Sequence, residues 1–148
     1  MQIPDVNFLS AESGVFVTGT DTGIGKTHAS CALLRSLRAS GRRVQGMKPV
    51  ASGCEWINGQ WRNEDALALM AAANTVLDYA DVNPYALPLA TAPQIASRQA
   101  GITVELPTMQ KAFMQLGASA DFVPVEGVGG WLAPLGADLG HPQLVRTL

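Results

Sequence analysis

A short apolar run followed by a glycine-rich turn constrains this chain more than any other feature. Residues 15–17 are apolar, and the turn that follows reads Thr18-Gly19-Thr20-Asp21-Thr22-Gly23-Ile24-Gly25-Lys26-Thr27. Glycine at positions 23 and 25 lets successive backbone N–H groups approach an anion that a side chain would block. The pattern predicts a strand, a phosphate-binding loop and then a helix whose positive N-terminal end faces the phosphates.

The last residues of this turn carry the groups that a polyphosphate requires. Lys26 supplies a cation for the outer phosphates, and the hydroxyl of Thr27 is placed to hold Mg²⁺. The common form of the loop has glycine at position 20, whereas this chain has Thr20 there and Gly19 one residue earlier. A glycine-rich turn that only redirects the chain is the alternative interpretation. His28 is expected to be an ordinary residue of the first helical turn and not a catalytic base. Its backbone N–H is expected near a phosphate.

Composition limits the classes of protein that the chain can belong to. Its 148 residues fit one domain, and 47% of them are hydrophobic, which is enough to form a core. A net charge of −2 indicates no basic face for nucleic acid. No apolar run approaches the roughly 20 residues of a membrane span, and residues 1–13 lack the pattern of a secretory signal. We therefore expect a cytoplasmic protein in which Cys31 and Cys54 are free thiols.

Apolar periodicity and turn residues predict alternating strands and helices along the chain. Strands are expected at 14–18, 44–47 and 122–125. Helices are expected at about 26–40, 64–73 and 91–100, after Thr108 and after Asp138. An Asn-Gly hairpin is expected at 56–61, and a long loop at 78–92. The alternation predicts an α/β fold, with a parallel β-sheet flanked by helices on both faces. Residues 1–13 are expected to be an N-terminal lead-in, and residues 14–148 one domain.

Charged residues stand at the ends of two predicted strands. Lys48 follows the second strand, and Glu126 follows the third and precedes Gly127-Val128-Gly129-Gly130. Ligands of open parallel sheets bind outside the carboxyl ends of the strands, and an acid at such a strand end is typical of magnesium sites. Lys48 fits equally well a surface lysine that closes a strand. Asp65 lies in the first turn of a predicted helix, where the helix dipole favours any acid.

Five motifs, taken in order, resemble the dethiobiotin synthetase family of P-loop enzymes. They are Val17-Thr18-Gly19-Thr20-Asp21-Thr22 with Gly25-Lys26-Thr27, Gly46-Met47-Lys48-Pro49-Val50-Ala51-Ser52-Gly53, Arg62-Asn63-x-Asp65-Ala66, Val82-Asn83-Pro84-Tyr85, and Val125-Glu126-Gly127-Val128-Gly129-Gly130-Trp131. The resemblance covers residues 14–148 and accounts for Gly19, because the loop of that family has this form. Members of the family continue for about another third of their length beyond the matching region.

The resemblance implies an ATP-dependent ligase of biotin biosynthesis. Its substrates would be 7,8-diaminopelargonate, CO₂ and MgATP. One amine of the diamine captures CO₂ as a carbamate, phosphorylation gives a carbamic–phosphoric anhydride, and the second amine closes the ureido ring and releases phosphate. The resemblance further implies a cytoplasmic homodimer that acts on small molecules, with no nucleic-acid or membrane partner.

The resemblance also assigns roles to individual residues. Lys26, Lys48 and Thr22 would act in catalysis, and Thr22 with Ser52 would bind the carbamate and the diamine. Thr27, Asp65 and Glu126 would surround Mg²⁺ with oxygen atoms. The nucleotide would contact Gly23, Ile24, Gly25, Lys26, Thr27, His28, Asp65, Glu126, Gly127, Val128 and Gly129.

Some residues depart from the family pattern and leave other interpretations open. Pro124 interrupts a strand that should be central and removes one ladder hydrogen bond, and Ala92 and Gln94 stand where the family often has other polar residues.

One alternative to a dethiobiotin synthetase is a truncated, inactive relative that binds MgATP without turnover. A second is a P-loop ATPase switch, whose members have a lysine at the position of Asp21. A third, an amide-forming ligase of cobalamin synthesis, would not be expected to carry the Lys48-Pro49 motif.

Overall fold

The computed structural model describes residues 13–148, so the predicted lead-in falls, apart from Ser13, outside the described residues. The strands are β1 (Gly14–Val17), β2 (Val50–Ala51), β3 (Glu55–Ile57), β4 (Gln60–Arg62), β5 (Tyr85–Ala86) and β6 (Val123–Glu126). The helices are α1 (Lys26–Ala39), α2 (Glu64–Ala72), α3 (Tyr79–Val82), α4 (Pro93–Gln99), α5 (Leu106–Ser119) and α6 (His141–Thr147). None of these helices is long and apolar enough to cross a membrane.

Strand β6 lies at the centre of a parallel arrangement. It pairs with β1, with Gly14 opposite Val123 at one end and Val17 opposite Glu126 at the other. On its other side, residues 44–47 run parallel to it through bridges at Val44 and Met47. A second parallel pair joins β2 and β5. The carboxyl ends of β1 and β6 therefore lie side by side, and the glycine-rich loop and Glu126 meet there.

The predicted strand at 44–47 is present only as two isolated bridges, and Pro124 explains the interruption. The N–H groups of Gln45 and Met47 donate to the carbonyl oxygens of Phe122 and Pro124 at 3.2 and 2.9 Å, and Glu126 N–H returns a bond to Met47 at 2.8 Å. In this register the backbone N–H of residue 124 would donate to the carbonyl oxygen of Gln45. Residue 124 is proline, which has no N–H, so this hydrogen bond is missing. The prediction of a continuous strand is therefore wrong, whereas the lost ladder bond is confirmed.

Two buried clusters lie on opposite faces of this sheet, because neighbouring strand residues point to opposite sides. Val123 and Val125 belong to one cluster, which includes residues of α5 and α6. Phe122 belongs to the other, which includes Leu34 of α1 and Leu69 of α2. The prediction of a parallel sheet with helices on both faces is confirmed. The residues of β1 are only half-buried, although the sequence predicted a strand covered on both faces, because among residues 13–148 this strand pairs with β6 alone.

The predicted hairpin is confirmed as β3 and β4. Asn58 and Gly59 occupy its turn with φ of 50° and 83°, the left-handed values that a two-residue turn needs. Trp56 and Trp61 face each other across the strands, with ring centroids 5.2 Å apart in an edge-to-face arrangement. The two rings pack on each other, and neither lines the large cavity described below.

The long loop predicted for residues 78–92 is only partly a loop. It contains the short helix α3 and, after Pro84, the strand β5. The N–H groups of Tyr85 in β5 and of Leu87 just after it donate to the carbonyl oxygens of Pro49 and Ala51 at 3.2 and 2.8 Å. This pairing joins segments far apart in the chain, so the local pattern of residues 78–92 does not reveal it. The described cysteines are free, as predicted, and both are buried.

Candidate functional site

The glycine-rich loop has the backbone geometry that its sequence predicts. Gly23 and Gly25 have φ of 75° and 100°, values that side-chain-bearing residues rarely adopt. Gly25 caps α1, and its carbonyl accepts from Ala29 N–H at 3.0 Å. The ammonium of Lys26 folds back over the loop and donates to the Asp21 carbonyl at 2.6 Å. The loop thus brings backbone N–H groups and one cation together at the positive end of a 14-residue helix.

A second glycine-rich segment, which follows β6, lies directly against this loop. Trp131 N–H donates to the Gly19 carbonyl at 2.9 Å. A Cβ atom on Gly130 would stand 2.5 Å from the Thr20 carbonyl oxygen, closer than real contacts allow. Only glycine permits this approach, which holds the loop after Glu126 against the phosphate-binding loop.

Lys48, Asp65 and Glu126 form one charged cluster at the strand ends. The ammonium of Lys48 donates to Glu126 Oε1 at 2.7 Å and to Asp65 Oδ2 at 3.0 Å. The side chains of Lys48 and Glu126 are 4% and 1% exposed, whereas that of Asp65 is 35% exposed. The interpretation of Lys48 as a surface lysine is therefore wrong. A lysine this deeply buried requires its carboxylate partners, because an unpaired buried charge is strongly destabilising.

The donor set next to this cluster fits a magnesium ion that shares its ligands with phosphates. Thr27 Oγ1 donates to Glu126 Oε1 at 2.8 Å, and the other oxygen, Glu126 Oε2, is buried with no hydrogen-bond partner among the described residues. Mg²⁺ prefers oxygen and usually takes one or two carboxylates together with phosphates and water. Residues 13–148 contain no group of three or more His, Cys, Asp or Glu suited to a metal, so a cage of protein ligands alone is not formed there.

The electrostatic environment of the cluster depends on both burial and charge. Burial lowers the pKa of Lys26 and the nearby charge of Lys48 lowers it further, while the surrounding carboxylates act in the opposite direction. Burial alone would raise the pKa of Asp65, but the charge of Lys48 and its hydrogen bond prevail and hold this pKa below its ordinary value. Asp65 is therefore ionised at neutral pH.

These groups surround a cavity of about 760 Å³. The predicted site residues that line it are Thr22, Gly23, Gly25, Lys26, Thr27, Lys48, Ser52, Asp65, Glu126, Val128 and Gly129. Ile24, His28 and Gly127 lie outside this lining, and the side chain of Ile24 is largely exposed.

Sequence reasoning did not assign several other lining residues to the site. They are Asp21, Ala51, Asn63, Glu64, Ala90, Thr91, Ala92, Pro93, Gly130, Ala133 and Pro134. Thr91, Ala92 and Pro93 were expected as a helix start, with Ala92 also a departure from the family pattern. Asn63 was expected as part of a family motif. Their closeness to the loop depends on how the segments pack, which the local pattern does not contain.

A buried histidine that sequence reasoning missed holds the segment after Glu126. His141, the first residue of α6, accepts a hydrogen bond from Val128 N–H at its Nε2 atom, 3.3 Å away. Its Nδ1 atom lies 3.1 Å from the Trp131 carbonyl oxygen, so the neutral ring that donates from Nδ1 satisfies both contacts. Burial lowers the pKa of His141 and favours this neutral form. No spacing in the sequence marks this residue.

The strand, glycine-rich loop and helix, with Lys26, Thr27 and an acid at the end of the neighbouring strand, define a P-loop nucleotide-binding fold. The sequence profile of the family described as "AAA domain" matches residues 13–148, and the chain belongs to this family.

Comparison with curated proteins gives a more specific likeness. The chain is 58% identical to the ATP-dependent dethiobiotin synthetase BioD of Xylella fastidiosa (strain 9a5c) over 136 residues, which are 92% of this chain and 60% of that protein. It is 59% identical to the protein of the same name from Xanthomonas euvesicatoria pv. vesicatoria (strain 85-10), over 90% of this chain and 59% of the relative. These matches confirm the resemblance to dethiobiotin synthetases. The chain spans about 60% of the length of the relatives it matches.

Proposed function

We propose that this chain belongs to an ATP-dependent cyclo-ligase that forms the ureido ring of dethiobiotin from 7,8-diaminopelargonate and CO₂. Residues 14–148 would be its nucleotide-binding and ligase domain, with ATP and Mg²⁺ as cofactors. The observation that carries the proposal is the burial of Lys48 between Asp65 and Glu126, beside the glycine-rich loop. The names of the relatives support the same activity.

The proposed chemistry depends on placement and charge more than on covalent catalysis. Phosphoryl transfer to a carbamate spreads negative charge over the transferred group, and preorganised cations stabilise that charge. Lys26 and Lys48 line the same cavity and would flank the transferred phosphoryl group. When bound, Mg²⁺ supplies further charge neutralisation at the phosphates, and Thr27, Asp65 and Glu126 would hold it.

The carbamate and diamine would bind on the side of the cavity that Ser52 and Thr22 line. The hydroxyl oxygen of Ser52 is buried and has no partner among the described residues, so a substrate group is a suitable partner for it. Thr22 is exposed at the edge of the loop, and a Cβ atom added to Gly129 would stand 3.8 Å from its hydroxyl oxygen. Because both residues line the same cavity, their hydroxyl groups would hold a small polar substrate next to the phosphates.

We further propose that the protein works in the cytoplasm as a homodimer. The buried, free thiols of Cys31 and Cys54 suit a reducing compartment. Sedimentation velocity of the purified protein tests the assembly directly. A dimer is expected, and a monomer at all concentrations would contradict it.

The decisive experiment measures dethiobiotin formed by the purified protein from ATP, Mg²⁺, bicarbonate and 7,8-diaminopelargonate, with each component omitted in turn. Product that requires all four components is expected. MgATP binding by a folded protein without product would favour the alternative of a relative that binds nucleotide without turnover.

A lysine variant with a matched control sharpens this experiment. Lys48→Ala should retain MgATP binding and lose product formation, because Lys48 lies at the strand ends beyond the glycine-rich loop. Lys111→Ala changes an exposed lysine of α5 and should keep both properties. Equal turnover in the two variants would remove Lys48 from the mechanism.

A further inference from the structure

A buried chain of hydrogen bonds connects the start of α2 with the backbone of Lys48. Asn63 N–H donates to the Tyr79 hydroxyl at 2.7 Å, and this hydroxyl donates to Asn83 Oδ1 at 2.8 Å. Asn83 Nδ2 then donates to the Lys48 carbonyl at 2.7 Å. Asn63, Tyr79 and Asn83 are 7%, 8% and 2% exposed, so water does not compete for these bonds. We call Asn63, Tyr79 and Asn83 the buried relay.

Each end of the buried relay holds a charged residue of the candidate site. At one end, Asn63 caps α2, and its Oδ1 atom accepts from the N–H of Asp65 at 3.0 Å. At the other end, Lys48 N–H donates to the Val82 carbonyl at 2.8 Å, so both peptide groups of Lys48 are bound by the end of α3. The side chains of Asp65 and Lys48 meet at 3.0 Å. The buried relay, Lys48 and Asp65 are therefore connected in a closed ring of hydrogen bonds, of which the ion pair is one member.

The side-chain donors of Asn83 and Tyr79 are all used in hydrogen bonds. Asn83 uses both Nδ2 hydrogens, on Lys48 and on the Tyr85 carbonyl at 3.3 Å, and the hydroxyl of Tyr79 both accepts and donates. The guanidinium of Arg62 covers the Tyr79 ring, 4.7 Å from its centroid. A fully satisfied buried network is rigid, whereas removing one member leaves its neighbours unpaired at a cost.

We propose that Tyr79 and Asn83 are positioning residues that set the distance between Lys48 and Asp65 through the buried relay. Neither is expected to touch a substrate, because neither lines the cavity. The consequence for turnover rests on the proposed function, whereas the effect on the Lys48 ion pair does not.

The test uses competitive acetylation of lysines, read by peptide mass spectrometry. The lysines of the chain are Lys26, Lys48 and Lys111, and the exposed Lys111 is an internal reference. Lys48 reacts only when its ion pairs open, so its rate reports their stability. Tyr79→Phe should raise the ratio of Lys48 to Lys111 labelling about fivefold to a hundredfold, the range expected from loss of the two hydrogen bonds that the Tyr79 hydroxyl makes.

The second tyrosine of the chain provides a matched control. The hydroxyl of Tyr85 accepts from Glu105 N–H at 3.0 Å and takes no part in the relay. Tyr85→Phe therefore makes the same chemical change in the core and should leave the labelling ratio of Lys48 unchanged. If both variants give the ratio of the wild type, or both raise it equally, the relay has only a general structural role and the proposal is overturned.

A second variant and an activity measurement separate this proposal from the proposed function. Asn83→Asp keeps an acceptor for Tyr79 but removes the donor to Lys48, so it should also raise the labelling ratio. In the dethiobiotin assay, Tyr79→Phe should lower kcat while KM for MgATP stays within about twofold. An inactive wild-type protein would contradict the proposed function but leave the labelling test intact. Unchanged kcat in a variant with raised Lys48 labelling would overturn the positioning role.

Discussion

At the scale of single residues, two lysines near the same cavity have different environments. Lys26 bonds to a carbonyl of its own loop, whereas Lys48 lies between two carboxylates. The first can turn toward a phosphate by exchanging one hydrogen bond, whereas movement of the second would take the neutralising cation away from the buried Glu126 and the partly exposed Asp65. We infer that Lys26 responds to the nucleotide and that Lys48 maintains the shape of the site.

This difference leads to a prediction for nucleotide affinity. Lys26→Ala should weaken MgATP binding about tenfold to a few hundredfold, because hydrogen bonds to charged groups contribute about 1.5–3 kcal/mol each. Isothermal titration calorimetry measures the change, with Lys111→Ala as the control of equal charge. Equal affinities in the two variants would show that Lys26 does not contact the phosphates.

The role of a single residue could be predicted from the sequence where that role depends only on neighbouring residues in the chain. Gly23, Gly25 and Lys26 could be assigned to one loop because a phosphate-binding loop is a short continuous segment, and all three line the cavity. Lys48 and Asp65 were ambiguous by spacing alone, and the family resemblance was needed to choose a role for them. Tyr79 and His141 were missed, because their contacts join segments that only the folded chain brings together.

At the scale of elements, α6 and the segment after β6 depend on each other through one neutral ring. His141 begins α6 and contacts both Val128 and Trp131, and its ring lies 6.0 Å from the Trp131 ring in a stacked arrangement. Burial lowers the pKa of His141, and the positive charges of Lys26 and Lys48 lower it further because they disfavour another positive charge nearby. Protonation would remove the acceptor for Val128 N–H and place the positive charge of an imidazolium ring in a buried position.

The lowered pKa of His141 predicts how stability depends on pH. As the pH falls below about 6.5, the ordinary pKa of histidine, His141 binds a proton in the unfolded chain but not in the folded chain. The free energy of unfolding therefore decreases until the pH reaches the lower pKa that His141 has in the folded chain. The slope from this one group is at most about 1.4 kcal/mol per pH unit. Urea unfolding between pH 7.5 and 5.5 should show this loss in the wild type. His141→Phe should lack it, and parallel pH profiles would contradict the prediction.

The interrupted ladder beside β6 leads to a prediction at the same scale. Pro124→Val should restore a donor for the Gln45 carbonyl, worth about 0.5–1.5 kcal/mol. The more flexible unfolded chain offsets about 0.4–1 kcal/mol of this gain, so the net change in stability should be small. Hydrogen exchange should nevertheless show the new amide at position 124 to be among the slowly exchanging ones. Rapid exchange there would mean that residues 44–47 do not pair with β6 at this point.

Element boundaries could be predicted well where a cap or a turn marks them. The start of α2 follows Asn63, and the β3–β4 turn lies at Asn58 and Gly59, as expected. The continuous strand at 44–47 and the simple loop at 78–92 were wrong for one reason. Both depend on hydrogen bonds with partners elsewhere in the chain, and a local pattern does not identify the partner.

At the scale of the whole molecule, the site joins elements from most of the described chain. The phosphate-binding loop, the Lys48 segment, the start of α2 and the segment after β6 all line one cavity. A ligand that contacts all of them at once can bind only the folded state. Its binding free energy therefore adds to the stability of the entire fold.

This linkage predicts a ligand-dependent shift in thermal unfolding. MgADP at a hundred times its Kd should stabilise the protein by about 2.7 kcal/mol, which corresponds to roughly 5–10 °C in Tm for a domain of this size. Differential scanning fluorimetry measures the shift, with Mg²⁺ alone and ADP with a chelator as controls. A full shift with Mg²⁺ alone would contradict a metal site that depends on phosphate ligands.

The facing rings of Trp56 and Trp61 have an optical consequence. Their edge-to-face contact at 5.2 Å brings two indole transitions close enough to couple, which produces a paired positive and negative band in far-ultraviolet circular dichroism. The hairpin that carries them connects Ser52 to Asp65, two residues proposed to hold different ligands. The chain thus contains a built-in spectroscopic reporter on the segment between its substrate and metal positions, readable without any added label.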